Sequence, residues 1–211
     1  MLHRPSKILD MLLDIAKKDP DPSSGRLFTY IYETGDHRLR GLAHKAFDMF
    51  LDTNALDPTT FQSALFFEKE LVRHARKLTH AGEDVVGTVT YGGTESIMLA
   101  VKAARWAYRK MHGASATPEI IVPVTGHPSI RKAAHYLDLR VAEAPVDPET
   151  KKVDPEAAKS LLSERTALVV VSAPNFPLGT VEPYRCFSHV TSRGAMIGGG
   201  LSLVPPLLGL F

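Results

Sequence analysis

Residues 88–98 read TVTYGGTESIM: a β-like stretch, two glycines, then Thr94, Glu95 and Ser96 leading into an apolar run at helical spacing. A strand that turns through Gly92-Gly93 into a helix aims the helix's first unpaired backbone N–H groups at the turn. With the positive end of the helix dipole, those donors form a site for an anion. The two glycines let the backbone approach closely, and Thr94 and Ser96 add hydroxyl donors. Phosphate is the obvious occupant, yet neither GxGxxG nor GxxxxGK[S/T] is present, so this is not a dinucleotide or P-loop fingerprint. The same residues also describe a tight turn capped by Thr or Ser, with Glu95 favouring the dipole.

Other candidate residues stand at the ends of apolar runs. His127, in GHPS, reads by itself as a strand-end histidine hydrogen-bonding the backbone. Ser172 and Ala173, in SAP, close a second run and read as a plain strand end. Asn54, in TNALDP, reads as a turn residue ahead of Pro58. The histidines at 37, 44, 74, 80, 112 and 135 lack metal-ligand spacing, and no metal is expected.

The elements that must position these residues fall into two parts. Residues 1–19 have an amphipathic helix pattern, ended by the Pro/Asp/Ser/Gly cluster Pro20 to Gly25. GLAHKAFDMFLDT (41–53) and the stretch from Phe61 to His80 carry two more helices. Short Val- and Ile-rich runs then alternate with helix patterns: VVGTVT (85–90), helix 94–112, EIIVPVT (119–125), helix 128–137, LRVAEAPV (139–146), helix 154–163 and TALVVVSA (166–173). Unbroken runs such as Ala167 to Val171 suit strands covered on both faces. The alternation predicts an α/β fold, a mostly parallel sheet flanked by helices and preceded by a helical N-terminal arm. Asp154-Pro155 supplies an N-cap and an N1 proline, and Pro128 can open another helix. We divide the chain into a helical arm with loops (1–60), an α/β domain (61–184) and a tail (185–211).

Composition narrows the class. The chain has 211 residues, 44% hydrophobic and 23% charged, with 25 Lys+Arg against 23 Asp+Glu, which describes an ordinary soluble globular protein. No basic tract interleaved with aromatics appears, so nucleic acid is not expected as a partner. A single cysteine, Cys186, suits a reducing compartment, and the N-terminus lacks the features of a signal peptide. Residues 194–211 carry no charge and approach the length of a membrane span, but their five glycines and Pro205-Pro206 argue against a helix there. No membrane association is expected.

TYGGTESIMLAVKAAR resembles the cofactor-phosphate motif of pyridoxal-phosphate enzymes of the group II decarboxylase lineage. GRLFTYIYETGD (25–36), TNALDP (53–58), PEIIVPVTGHPSIRKAAHYLDL (118–139) and LVVVSAPNFPLGTVEP (168–183) resemble, in family order, successive blocks of sphingosine-1-phosphate lyase and its bacterial relatives. The resemblance implies part of the large domain of a fold-type-I pyridoxal-phosphate transferase, with pyridoxal 5'-phosphate as cofactor. It implies that Gly93, Thr94 and Glu95 hold the cofactor phosphate, that His127 stacks on the pyridine ring, and that Ser172 lies near the ring. Tyr32 and Asn54 match positions that contact substrate, and so the resemblance places the loops of the arm (1–60) on the substrate side. It further implies a homodimer acting on a small-molecule amine or amino-acid substrate by breaking a carbon–carbon bond. Eukaryotic lyases carry a membrane anchor before these blocks, and its absence here points to a cytoplasmic relative. Where the lyases have a histidine in an NPLHP-type turn, this chain has Asp57, which favours a decarboxylase or lyase of a different amine over one for phosphorylated long-chain bases.

The chemistry of this cofactor also needs a Schiff-base lysine and an acid for the pyridine nitrogen. In the family these follow in HVDA- and HK-type motifs. This sequence has no lysine beyond Lys159, and Glu182 is the only acid after Ser172. The family pattern stops after GTVEP, and the Gly/Pro-rich segment beyond it reads as a truncation or a shifted reading frame. No catalytic residue is identified, since neither Lys102 nor Lys132 is marked as a replacement lysine, and the chain is expected to be inactive alone. The alternative is a non-catalytic module that binds a phosphate-bearing small molecule.

Overall fold

Helix α1, Pro5–Ala16, opens the chain, and α2, His37–Met49, follows with Asp36 as its N-cap, accepting from the Arg38 amide. The computed structural model describes residues 5–27, 35–187, 196–198 and 201–203. The chain divides into two compact units, Met1–Ala64 and Leu65–Phe211. The first holds α1, α2 and the turn around Asn54. Helix α3, Gln62–Leu78, runs into the second unit, which continues with α4 (Gly93–His112), β1 (Glu119–Pro123), α5 (Pro128–Tyr136), β2 (Arg140–Ala144), α6 (Pro155–Ser160) and β3 (Thr166–Val169). A short antiparallel pair, β4 (Met196–Gly198) and β5 (Leu201–Leu203), lies in the tail.

The sheet is parallel in the order β2-β1-β3. Side chains alternate across a strand, so one run of apolar residues feeds two cores. Ile120, Val122, Leu168 and Val170 face one layer with Ala100, Val101 and Ala104 of α4 and Ile130, Ala133 and Ala134 of α5. Ile121, Val169 and Val171 face the other, with Ala158 of α6 and Phe187. This is why the Ala167–Val171 run has no polar interruption: every residue in it is buried.

The expected helices form, with α2 starting and ending four residues earlier than 41–53 and α6 shorter than residues 154–163. Asp154 caps it as expected, accepting from the amides of Glu156 and Ala157. The stretch 85–90 differs: it forms no ladder strand, because no described residue pairs with it. Instead Glu68 of α3 accepts from the Thr88 hydroxyl at 2.6 Å and the Val89 amide at 3.0 Å. Those bonds hold the Glu68 carboxyl below its ordinary range, the Thr88 hydroxyl contributing most. No helix among the described residues is long and apolar enough to cross a membrane.

Chain direction fixes which end of the sheet matters. Residues 113–118 link the C-terminus of α4 to the start of β1, so α4 runs antiparallel to the strands. The Tyr108 hydroxyl near the end of α4 donates to the Glu164 carbonyl, just ahead of β3, at 3.0 Å. The start of α4 therefore lies toward the carboxyl ends of the strands, where ligands of open α/β sheets bind.

Candidate functional site

The Gly92-Gly93 turn is built from backbone. Gly92 is the N-cap of α4 with φ 131° and ψ 162°, a conformation open essentially to glycine alone, and no side chain caps the helix. The amides of Glu95 and Ser96 both donate to the Gly92 carbonyl, at 3.1 and 3.2 Å. The amides of Gly93 and Thr94, and the Thr94 hydroxyl, have no partner among the described residues, and Thr94 is exposed. A Cβ at Gly93 would meet nothing within 4 Å. The turn thus presents two N–H donors and a hydroxyl, unpartnered among the described residues, at the positive end of a 20-residue helix.

Glu95 is engaged within its own turn. Its carboxylate accepts from the Tyr91 amide at 2.8 Å, and its own amide is already bonded within the turn. A carboxylate cannot donate to phosphate, so Glu95 braces the turn from behind in the manner of a capping box. Ser96 likewise turns its hydroxyl to Thr90.

His127 caps α5. Its Nδ1 accepts from the Ser129 amide at 3.2 Å and lies 2.6 Å from the Ser129 hydroxyl. An amide only donates, so Nδ1 is the acceptor and the ring plane is fixed. The ring packs edge-to-face with Phe176, centroids 4.7 Å apart at 74°. Backbone capping and ring presentation therefore coexist in one half-buried side chain. The loop before it is clamped by Arg131, whose guanidinium donates to the carbonyls of Pro123, Val124 and Gly126 and pairs with Glu143 at 2.8 Å.

Ser172 lies beyond the end of β3, half-buried, with its amide donating to Glu182 Oε2 at 2.9 Å and its carbonyl accepting from the Glu182 amide at 3.0 Å. Glu182 is 1% exposed and Asn175 2%. Asn175 Nδ2 donates to Thr125 Oγ1 at 2.7 Å and to Glu182 Oε1 at 3.2 Å. Burial pushes the Glu182 carboxyl up, against the opposing pull of the Ser172 and Asn175 bonds. The sequence alone shows Glu182 only as a leftover acid. The signal that could have found it is its position just past the turn-forming NFPLG, which folds 180–182 back onto 172–175.

The strand-end residues His127 and Ser172 and the start of α4 thus belong to one end of one unit. Asn54 and Asp57 belong to the other unit and serve their own turn. Asn54 Oδ1 accepts from the Leu56 amide at 3.0 Å, and Asp57 accepts from the Thr59 hydroxyl and amide and from the Thr60 hydroxyl. The Thr59 hydroxyl is the main reason the Asp57 carboxyl sits below its ordinary range. Tyr32 lies outside the described residues. Lys102 is exposed beside Arg105 and Trp106, and Lys132 is exposed with its ammonium 5.6 Å over the Tyr136 ring.

A family model described as Aminotransferase class-V matches residues 69–197, and the chain belongs to that family, whose cofactor is pyridoxal phosphate. Among these fold-type-I enzymes it sides with the sphingosine-1-phosphate lyase-like and group II decarboxylase lineage. It is 40% identical over 149 residues to the sphingosine-1-phosphate lyase of Dictyostelium discoideum, covering 71% of this chain and 28% of that protein. It is 37% identical over 149 residues to a probable L-tyrosine/L-aspartate decarboxylase of Methanothermobacter thermautotrophicus, covering 71% and 39%. The solved sphingosine-1-phosphate lyase of Burkholderia pseudomallei superposes with a TM-score of 0.85 at 30% identity, over 94% of this chain and 47% of that one. The chain spans less than half the length of each of these relatives.

Proposed function

We propose that these residues form the phosphate turn and ring plate of a pyridoxal-phosphate-dependent carbon–carbon lyase or decarboxylase acting on an amine or amino-acid substrate. The observation that carries this is the pair of amides at Gly93 and Thr94, unpartnered among the described residues, opening α4 at the same sheet end as His127. The residues present fit the cofactor: the turn supplies N–H and hydroxyl donors without a side chain in the way, and His127 offers a ring of fixed plane. Gly93 and Thr94 would hold the phosphate, His127 would cover one ring face, and Ser172 would border the ring. When bound, the cofactor supplies an electron sink for the bond that breaks.

The Schiff-base lysine is not assigned within these residues, because Lys102 and Lys132 are both directed to exposed surfaces. We therefore read the chain as binding the cofactor without joining it covalently, and as inactive alone. Tyr32 and Asn54 as substrate contacts, and a homodimer, belong to the same proposal. Support for the dimer comes from the first unit, where α1 leaves Leu9, Leu12 and Leu13 at least half exposed, 60%, 55% and 60%.

The test is a titration of the purified chain with pyridoxal phosphate, followed by borohydride reduction and mass spectrometry. Saturable binding, weakened severalfold by Thr94→Val and without a stoichiometric reduced adduct, is the expected result. No saturable binding overturns the proposal. A stoichiometric adduct abolished by one Lys→Ala change overturns the claim that no lysine here serves. Tight binding of phosphate-bearing compounds at large, with no preference for the pyridoxal ring, favours the module alternative.

A further inference from the structure

Among the described residues three polar or charged residues are buried: Ser129, Asn175 and Glu182. A buried polar group is costly unless it is hydrogen-bonded, so where such groups gather shows what the fold spends them on. All three gather at one place. Ser129 bonds the His127 ring. Asn175 reaches from the loop after β3 to the Thr125 hydroxyl, two residues before His127, and Glu182 holds Asn175 and the Ser172 amide together. The next residue after Asn175 is Phe176, whose ring lies against His127 while remaining 64% exposed. Gly126, between Thr125 and His127, has no room to yield: a Cβ there would lie 2.6 Å from Val122 Cγ1 and 3.0 Å from the Pro123 carbonyl.

We infer that Glu182, Asn175 and Thr125 form a latch between the two strand-end loops that positions the His127 ring and sets Phe176 against it. Arg131 holds the same loop through its carbonyls, so the loop is fixed on two sides and the plate at its end inherits that rigidity. The three latch residues are positioning residues: they bond to one another and to the loop that carries His127, and act through that ring. The importance of the latch for the cofactor rests on the reading that His127 covers the pyridine ring, whereas the latch itself rests on the hydrogen bonds alone.

The test separates the two. Long-range proton–nitrogen spectra of the histidine rings, recorded on the chain without cofactor, report the tautomer and order of His127. In the parent, the His127 Nδ1 gives the signal of an unprotonated acceptor. Thr125→Val keeps the shape and removes the acceptor of Asn175, and Thr125→Ser restores a hydroxyl. The expected result is a shifted or broadened His127 signal in Thr125→Val and Glu182→Gln, a parent-like signal in Thr125→Ser, and pyridoxal phosphate affinity about tenfold weaker in the first two only, the scale of one lost buried hydrogen bond. A parent-like His127 signal in a folded Thr125→Val overturns the latch. If the parent does not bind pyridoxal phosphate, the cofactor reading falls and the ring spectra alone decide the latch. If Glu182→Gln does not fold, the Thr125 pair decides it.

Discussion

The phosphate turn and the His127 loop sit at the same end of the same sheet, yet they are made of different material. Gly92 to Glu95 is mainly a backbone device: main-chain amides supply most of its donors, its residues are exposed, and the Glu95 side chain serves the turn itself. The His127 loop is a side-chain device, held by buried Asn175 and Glu182 from fifty or so residues away in sequence. A phosphate dianion needs several convergent donors and tolerates water nearby, which a helix start provides locally. A ring plate needs orientation, and orientation of one side chain comes from the packing and bonds of others.

Cutting beneath both devices should give the largest effect. Leu168 is fully buried and packs between β1, α4 and α5, so Leu168→Ala should cost about 2–5 kcal/mol in urea unfolding. Both devices should fail together, since α4 and α5 rest on the same core. Next comes Gly92→Ala: at φ 131° an alanine is strained by about 1–3 kcal/mol. Gly93→Ala, in open space with ordinary φ, should leave the urea midpoint nearly unchanged and so show that the two glycines differ in kind.

A subtler difference is in pH dependence. Burial raises the Glu182 carboxyl above its ordinary 4.5, so the folded state holds the proton longer than the unfolded state. Its contribution is then fully present below pH 4.5 and is lost as pH rises through the raised value. Glu182→Gln should remove that loss, seen as a difference in the slope of stability against pH just above the ordinary carboxylate range. The exposed carboxylates Asp57 and Asp147, held low by local bonds to Thr59 and Thr150, act with the opposite sign and are common to both proteins. Smallest of all is Asp57→Asn. Asparagine keeps an acceptor for the Thr59 amide, and the urea midpoint at neutral pH should match that of the parent.

How much could be read in the chain follows the range of the interactions. The Ala167–Val171 run, the Asp154-Pro155 start of α6 and the Gly92-Gly93 turn were legible because each is decided by neighbours within a few positions. The VVGTVT run looked like a strand by the same rules and is not one, because a strand requires a partner and local sequence cannot supply it. Asn54 reads as a turn residue and behaves as one. Glu182 was visible only as an acid without a role, since its bonding partners are an amide at Ser172 and an amide side chain at Asn175 that only the loop's fold brings to it.

The sequence by itself determined the order of helix and strand, the two-sided burial of β1 and β3, and the glycine conformation that opens α4. These are local properties of side-chain periodicity and backbone freedom. Only the tertiary structure decided that the strand-end loops are tied through Thr125, Asn175 and Glu182. A hydrogen bond between residues fifty positions apart leaves no period or spacing in a chain; it exists once the sheet has brought the two loops side by side.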